Sequence, residues 1–139
     1  GVDFSSPRQG VRIAGDRFSA LRKSPGFRFR DGKAFLGANG TVVVRLPFAR
    51  SGRYQFRLRV SGTPAEGKLP NLAMSIDGKR MGDATLRQAT WHTLTVEAEV
   101  SAGEHEIGVT FTNDLYRPPE DRNLAMEWLE IRFARKGVQ

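Results

Sequence analysis

Alternation of apolar and polar residues along short segments is the feature that most constrains the fold of this chain. It is cleanest in residues 53–60, where apolar side chains occupy every second position: Tyr54, Phe56, Leu58 and Val60. The positions between them carry three arginines and a glutamine: Arg53, Gln55, Arg57 and Arg59. Because successive side chains of a strand point to opposite faces, this pattern predicts an antiparallel strand with one buried and one solvated face.

The same pattern recurs along most of the chain, between turns rich in Gly, Asn and Asp. Residues 42–46, 94–100 and 107–111 each alternate, and Asp77-Gly78 has the composition of a two-residue hairpin turn. Roughly eight short strands at this length predict an all-β fold, a two-sheet antiparallel β-sandwich of the jelly-roll type. A barrel is the alternative.

Two segments depart from simple alternation. Residues 15–24 fit either one short helical turn or an irregular strand. Near the end of the chain, in residues 124–133, the apolar positions change phase midway, which predicts a bulge or a strand buried on both faces. Trp128 lies in this segment, and we expect it in the core. Because the sequence contains no repeat or linker, residues 1–139 are predicted to form a single domain.

Composition excludes several classes of protein. The chain has no cysteine, which rules out disulfide frameworks, thiolate zinc sites and cysteine nucleophiles. No apolar run reaches the length of a membrane span, and we expect neither membrane insertion nor a retained signal peptide. The formal net charge is +7, and residues 1–60 carry 13 basic and 3 acidic side chains, against 9 and 12 in residues 61–139.

This excess of basic side chains raises the question of a polyanionic ligand. Arg53, Arg57 and Arg59 would form a row on one strand face, and arginine forks pair with carboxylates and phosphates. Because Tyr54 and Phe56 point to the opposite face, the stacking surface that nucleic acid needs is missing, and nucleic acid is not the expected ligand. The row either binds an acidic polysaccharide or is a solvated or domain-facing surface.

The densest group of oxygen-bearing side chains lies in a loop before the last strand: Asn113, Asp114, Glu120, Asp121 and Asn123. Calcium takes about six to eight oxygens from carboxylates, amides and carbonyls, and a loop held at both ends by strands can present them around one point. The spacing is not that of an EF-hand. On the residues alone, the alternative is that these side chains form turns at the loop corners.

The sequence around this loop resembles a known family. Phe111-Thr112-Asn113-Asp114, followed by the run of residues 121–131 (Asp-Arg-Asn-Leu-Ala-Met-Glu-Trp-Leu-Glu-Ile), is similar to the signature of calcium-dependent, xylan-binding carbohydrate-binding modules. Further stretches resemble the middle strands of such modules in large exported bacterial multidomain proteins: residues 54–60, 72–79 and 103–107. The resemblance spans about residues 40–134 and does not extend to the first 39 residues.

The resemblance implies a β-sandwich whose final loop holds a calcium ion that binds two neighbouring hydroxyls of a sugar. By position, it implies metal ligands from Asn113 or Asp114, from Asp121 and Asn123, and from the backbone carbonyl of Arg122. Shorter-loop members carry Asp where this chain has Asn123. Losing one negative charge weakens calcium binding, because affinity follows the number of charged ligands.

A sugar site also needs flat aromatic surfaces, because the C–H faces of a pyranose pack on aromatic rings. Tyr116 lies in the same loop, and we expect it to contact the sugar. Trp91 starts a predicted strand and is the second aromatic candidate, at the flank of the site. The predicted ligand-binding set is therefore these two aromatics with Asp114, Asp121 and Asn123.

Catalysis has little support in the sequence. Neither of the two histidines lies in a Ser/His/Asp-type motif, and alternation places the paired Glu97 and Glu99 on a solvent face. We predict a noncatalytic carbohydrate-binding module for a xylan-like or other β-glycan, joined to further domains in an exported bacterial protein, extracellular or periplasmic. The alternatives are a structural or interaction domain of the same fold without sugar binding, and a basic module for anionic polysaccharide or nucleic acid.

Overall fold

The structure is a computed structural model that describes residues 10–23 and 25–135. Its strands, in chain order, are β1 (Val11–Ala14), β2 (Ser19–Ala20), β3 (Phe27–Arg30), β4 (Lys33–Leu36), β5 (Gly40–Phe48), β6 (Gly52–Gly62), β7 (Asn71–Ile76), β8 (Lys79–Thr85), β9 (His92–Val100), β10 (Gly103–Phe111), β11 (Leu115–Arg117), β12 (Glu120–Arg122) and β13 (Leu124–Arg135). No helix in this described part is long and apolar enough to cross a membrane.

The strands form two antiparallel sheets and one small hairpin. The first sheet has the order β3-β4-β13-β6-β9, and β1 also pairs with β13. The second sheet has the order β2-β5-β10-β7-β8, and β11 pairs with β12 in the separate hairpin. Most neighbours within each sheet are distant in sequence, as in a jelly roll. The predicted all-β, two-sheet antiparallel sandwich is confirmed.

The core lies between the two sheets and includes the apolar side of β6. Tyr54, Phe56, Leu58 and Val60 are each at most 1% exposed, as their alternation predicted. The Tyr54 ring packs edge-on against Phe48 and Phe133, with ring centres 5.0 and 5.1 Å away. Its hydroxyl donates a hydrogen bond to the carbonyl of Arg50 at 2.6 Å, so the one polar atom that this ring brings inward is satisfied.

The predicted hairpin turn at Asp77-Gly78 joins β7 to β8. Both residues have positive φ angles, 51° and 83°, which is the geometry of a type I′ turn. Glycine adopts this conformation without a steric penalty, and Asp tolerates it better than most residues do. The two-residue turn therefore fixes the register in which β7 and β8 pair.

The predicted irregularity in the last strand is a bulge, but it places Trp128 differently from our expectation. The register of β13 against β6 shifts between Met126 and Trp128, and Leu129 returns to the core side. Trp128 is therefore on the outer face, half-buried, with the Arg12 guanidinium 4.2 Å from its ring centre. The expectation that Trp128 lies in the core is wrong, because the extra residue of the bulge inverts the alternation.

The ambiguous segment of residues 15–24 contains both structures that its sequence allowed. Gly15–Arg17 form one turn of 3-10 helix, and β2 follows and pairs with β5. Ser24 lies outside the described residues. The early part of the chain thus contributes to both sheets, through β1, β3 and β4 in the first and β2 in the second.

Candidate metal centre and adjoining groove

The segment predicted as a long loop, residues 113–123, folds largely into the β11–β12 hairpin. Tyr116 is in register with Asp121, and a cis peptide bond joins Pro118 to Pro119 at the tip. The base of this hairpin connects the end of β10 to the start of β13. Since paired strands hold the two ends of a hairpin together, this geometry brings Asp114 close to Asp121.

Asp114 carries a buried carboxylate oxygen that has no hydrogen-bond partner in the part of the chain that the structure describes. Its backbone N–H donates to the side-chain oxygen of Asn39 at 2.7 Å, which fixes its position. Its carboxylate atom Oδ1 is buried and accepts no hydrogen bond within the described residues. Burial raises the pKa of Asp114, and the charge of Asp121 raises it further. A buried, unpaired carboxylate oxygen beside a second carboxylate fits a bound cation, which would satisfy both.

Thr63 positions the backbone on the opposite side of the site, at Asp121 and Asn123. Its hydroxyl donates to the carbonyl of Asp121 and accepts from the N–H of Asn123 at 3.0 Å. Its own N–H donates to the carbonyl of Asn123 at 3.0 Å. No hydrogen bond within residues 10–23 and 25–135 engages the side-chain oxygens of Asp121 or Asn123. The backbone here is therefore held by Thr63, while both side chains remain available as ligands.

The side chains of Asn113 and Arg122 form hydrogen bonds to neighbouring backbone groups. The amide of Asn113 accepts from the N–H of Asn71 at 2.7 Å and donates to the carbonyl of Leu69 at 3.1 Å. Arg122 is 5% exposed, and its guanidinium donates to three backbone carbonyls, those of Ala65, Lys68 and Asn113. Both side chains thereby hold the base of the hairpin against residues 65–71.

The donor set that remains is Asp114, Asp121 and Asn123. Within the described ranges, no three His, Cys, Asp or Glu side chains converge on one point. A cation here would therefore combine two carboxylates with amide and carbonyl oxygens and would complete its shell from outside the protein. Hard oxygens with room for further oxygen ligands suit calcium.

A groove of about 550 Å³ begins at Asp121 and Asn123 and continues over the outer face of the first sheet. Its lining includes two arginines of β3 and neighbours on three further strands: Arg28, Arg30, Phe35, Ser61 and Ala125. Tyr116, on the hairpin, is 68% exposed. Trp91 is half-buried and precedes β9; Ala89, two residues earlier, lines the groove, whereas Trp91 does not.

The row of Arg53, Arg57 and Arg59 is largely paired with glutamates. Arg53 lies 2.8 Å from Glu97 and 3.7 Å from Glu99. The other two pair with residues of β13: Arg57 with Glu130 at 2.8 Å, and Arg59 with Glu127 at 3.4 Å. Acidic neighbours on both sides neutralise this face, which weakens it as a polyanion surface.

Sequence reasoning missed four residues of this region. Asn39 and Thr63 position the carboxylate-bearing segments, and Arg28 and Arg30 line the groove. Asn39 and Thr63 are distant in sequence from the hairpin, and nothing local marks their partners. The alternation of Arg28 and Arg30 in β3 was the one available signal, since it placed both on one face.

Comparison with known proteins identifies a family. The sequence profile of CBM60, described as calcium-dependent, xylan-binding carbohydrate-binding modules, matches residues 55–136. The match extends from β6 to β13 and includes the hairpin with its two carboxylates. No curated protein sequence matches the chain.

Several solved structures are similar in fold. The CBM36-1 domain of a multidomain xylanase from the hindgut metagenome of Trinervitermes trinervoides has a TM-score of 0.74 at 18% identity, covering 94% of this chain and all of that one. A CBM36 module in complex with calcium and xylotriose has a TM-score of 0.67 at 17% identity, covering 87% and 98%. A family GH115 4-O-methyl-α-glucuronidase has a TM-score of 0.69 at 9% identity, covering 97% of this chain and 19% of that one. At these identities the likeness establishes the fold.

Proposed function

This chain belongs to CBM60, the calcium-dependent, xylan-binding carbohydrate-binding modules, and from that membership we propose that it binds xylan or a related β-glycan through calcium at the base of the β11–β12 hairpin. It is a carbohydrate-binding module, and modules of this kind are typically noncatalytic. We take this chain to be noncatalytic as well, with a role in holding polysaccharide.

The observation that carries the proposal is the buried oxygen of Asp114, which has no hydrogen-bond partner within the described residues and lies next to a second carboxylate. Without a cation, such an arrangement costs free energy, both from desolvation and from repulsion between the two charges. The proposed ligands are Asp114, Asp121 and Asn123, with a backbone carbonyl such as that of Arg122. When bound, calcium supplies coordination positions that two neighbouring sugar hydroxyls can occupy.

The chain's own residues then orient the sugar. Thr63 holds the backbone of Asp121 and Asn123, so the segment that carries these two ligands is positioned without the metal. The exposed ring of Tyr116 offers a platform beside the site, and the groove gives the rest of the glycan a path away from it. Fixed ligands and a preformed groove reduce the entropy cost of binding.

Calorimetric titration with xylohexaose tests the proposal. We expect binding in calcium, none in chelator, and none in Asp121→Asn, which keeps the side-chain volume while removing one ligand charge. Tyr116→Ala should weaken binding by about 1–3 kcal/mol, because a stacking ring is lost from a position that contributes little to the core.

Asp83→Asn is the control for the carboxylate variant, since Asp83 is exposed and paired with Arg80 on β8. Leu21→Ala is the control for Tyr116→Ala, because Leu21 is also a large exposed apolar side chain, 52% exposed. Both controls should bind like the wild type. Undiminished binding in chelator, or by Asp121→Asn, would contradict the calcium mechanism.

We also propose that the module works outside the cytoplasm, extracellular or periplasmic, attached to other domains. Polymeric xylan is found outside cells, and a similar sandwich makes up one part of a much larger glucuronidase chain. Fractionation of the native protein tests this: recovery of the full-length product from the cytoplasm alone would contradict it.

A further inference from the structure

We propose that the groove beside the calcium site selects glycans that carry a carboxylate, and that Arg28 and Arg30 recognise this group. The inference rests on the proposed function, since it assumes that a glycan is held at the Asp121 end of the groove. It adds the class of ligand, a uronic acid within or attached to the polysaccharide, which the calcium site alone does not distinguish from a neutral sugar.

The first support is the strand register, which places one row of residues side by side across the outer face. Arg28 of β3 is opposite Phe35 of β4, Phe35 is opposite Ala125 of β13, and Ala125 is opposite Ser61 of β6. Paired strands lie about 4.8 Å apart, so this row spans roughly 14 Å. Asn123 precedes Ala125 by two residues, which puts the proposed metal end about 7 Å from the row.

The second support is charge. Arg28 and Arg30 are exposed and form no ion pair within the described residues, unlike Arg53, Arg57 and Arg59 on the same sheet. They alternate on β3, so their backbones are about 7 Å apart and their side chains share one face. The Arg30 guanidinium lies 5.4 Å from the ring centre of Phe35, which orients it over the groove.

The third support is the remainder of the lining. Asp121 is the one acidic side chain among the described residues that line the groove, and it is a proposed calcium ligand. The rest of the floor is short or apolar, including Gly37, Gly62, Ala125 and the Phe35 ring. A glycan main chain can lie flat on this floor, and the two guanidinium groups at its edge are then available to bind an anion. Guanidinium forks bind carboxylates through two parallel hydrogen bonds, which suits a uronate.

The experiment compares matched ligands by calorimetry in calcium. The probes are xylotetraose, the same oligosaccharide with one glucuronosyl branch, that branched compound with its carboxyl reduced to an alcohol, and an oligogalacturonate. We expect the branched acid to bind about tenfold more tightly than its reduced form. The oligogalacturonate arm distinguishes an acidic branch from an acidic main chain as the source of the carboxylate.

The variant for this test is the double substitution Arg28→Gln/Arg30→Gln, with Lys23→Gln/Lys79→Gln as the control of equal charge change. Lys23 and Lys79 are exposed, form no ion pair within the described part of the chain and do not line this groove. The ratio of acid to reduced affinity should fall to about one in the arginine variant and stay about tenfold in the control.

Equal binding of the branched acid and its reduced form by the wild type would overturn the inference and leave the proposed function standing. An acid preference that survives in the arginine variant, or that the lysine control also loses, would overturn it too, because general positive charge would then suffice. Failure of the wild type to bind any xylo-oligosaccharide would overturn the proposed function and this inference together.

Discussion

Arg122 shows how a single side chain holds the candidate site together. Its buried guanidinium bonds to carbonyls in two segments that the sequence keeps far apart, residues 65–68 and Asn113. A backbone carbonyl left unpaired in a buried position costs free energy, and Arg is the residue whose planar fork can reach three at once. Its adjacency to Asp121 and Asn123 means that this contact also sets where those proposed ligands lie.

We therefore expect Arg122→Met to lower the free energy of unfolding by about 2–4 kcal/mol, because three carbonyls lose a charged donor. Arg117→Met is the control, since Arg117 is 65% exposed and its ion pair with Glu66 is a surface pair worth less than about 1 kcal/mol. Denaturant unfolding of both variants measures the difference. Equal stability of the two would mean that the carbonyl contacts contribute little.

At the scale of elements, His105 links two turns at the end of the sandwich opposite the hairpin. Its Nδ1 lies 2.6 Å from the Asp77 carboxylate in the β7–β8 turn, and its Nε2 lies 2.8 Å from the carbonyl of Ser101 before β10. Both ring nitrogens thus face acceptors, which favours the doubly protonated, charged imidazolium. The Ser101 hydroxyl also lies 3.2 Å from Nε2, but the Ser101 carbonyl is the nearer partner of this nitrogen. In the charged imidazolium Nε2 donates, and it therefore takes no proton from the hydroxyl.

The pKa values follow from these contacts. The hydrogen bond to Asp77 raises the pKa of His105 above its usual 6.5, against the effects of burial and of nearby Arg45. The N–H of Glu106, and then His105, lower the pKa of Asp77 below its usual 3.8. His105 therefore stabilises the fold fully below pH 6.5 and loses this effect as pH rises through its raised pKa. Asp77 contributes above pH 3.8 and loses its effect as pH falls through its lowered pKa.

The pair is thus most stabilising between about pH 4 and 6.5. We expect the melting temperature of the wild type to fall more between pH 6 and pH 9 than that of His105→Gln, which has no group to titrate there. Thermal unfolding monitored by circular dichroism at several pH values measures this difference. Parallel curves for the two proteins would show that the link between the turns contributes nothing to stability.

At the scale of the whole molecule, calcium should act as a stabilising ligand, because the hairpin base joins the second sheet, through β10, to the first, through β13. Binding to the folded state alone adds about 2.7 kcal/mol at a calcium concentration of 100 times Kd, which raises Tm by roughly 10 °C for a domain of this size. Asp121→Asn should remove most of this shift, and magnesium should give a smaller one. Scanning calorimetry with calcium, magnesium and chelator measures it.

Equal melting temperatures in calcium and in chelator would contradict a calcium site in this protein. A rise in Tm without any xylo-oligosaccharide binding would support the alternative in which the ion only stabilises the hairpin.

The sequence by itself determined the features that depend on neighbouring residues. Alternation at 53–60 set which side of β6 is buried, since strand geometry repeats every two residues, and Asp77-Gly78 set a turn that needs positive φ. The phase change in β13 predicted its bulge. The oxygen-rich residues of 113–123, together with the family resemblance around them, predicted where the candidate metal site lies. The family profile, which matches residues 55–136, includes this segment.

Only the tertiary structure decided what depends on which strands pair and in what register. Pairing with β9 and β13 turned the arginine row of β6 into ion pairs. The bulge moved Trp128 outward although its local pattern suggested the core. The contact of Thr63 with Asn123 and that of Arg122 with Lys68 each join residues more than 50 positions apart. Such contacts arise from the registers of several strands at once, whereas local periodicity fixes only which face of each strand is apolar, so they were beyond the reach of sequence patterns.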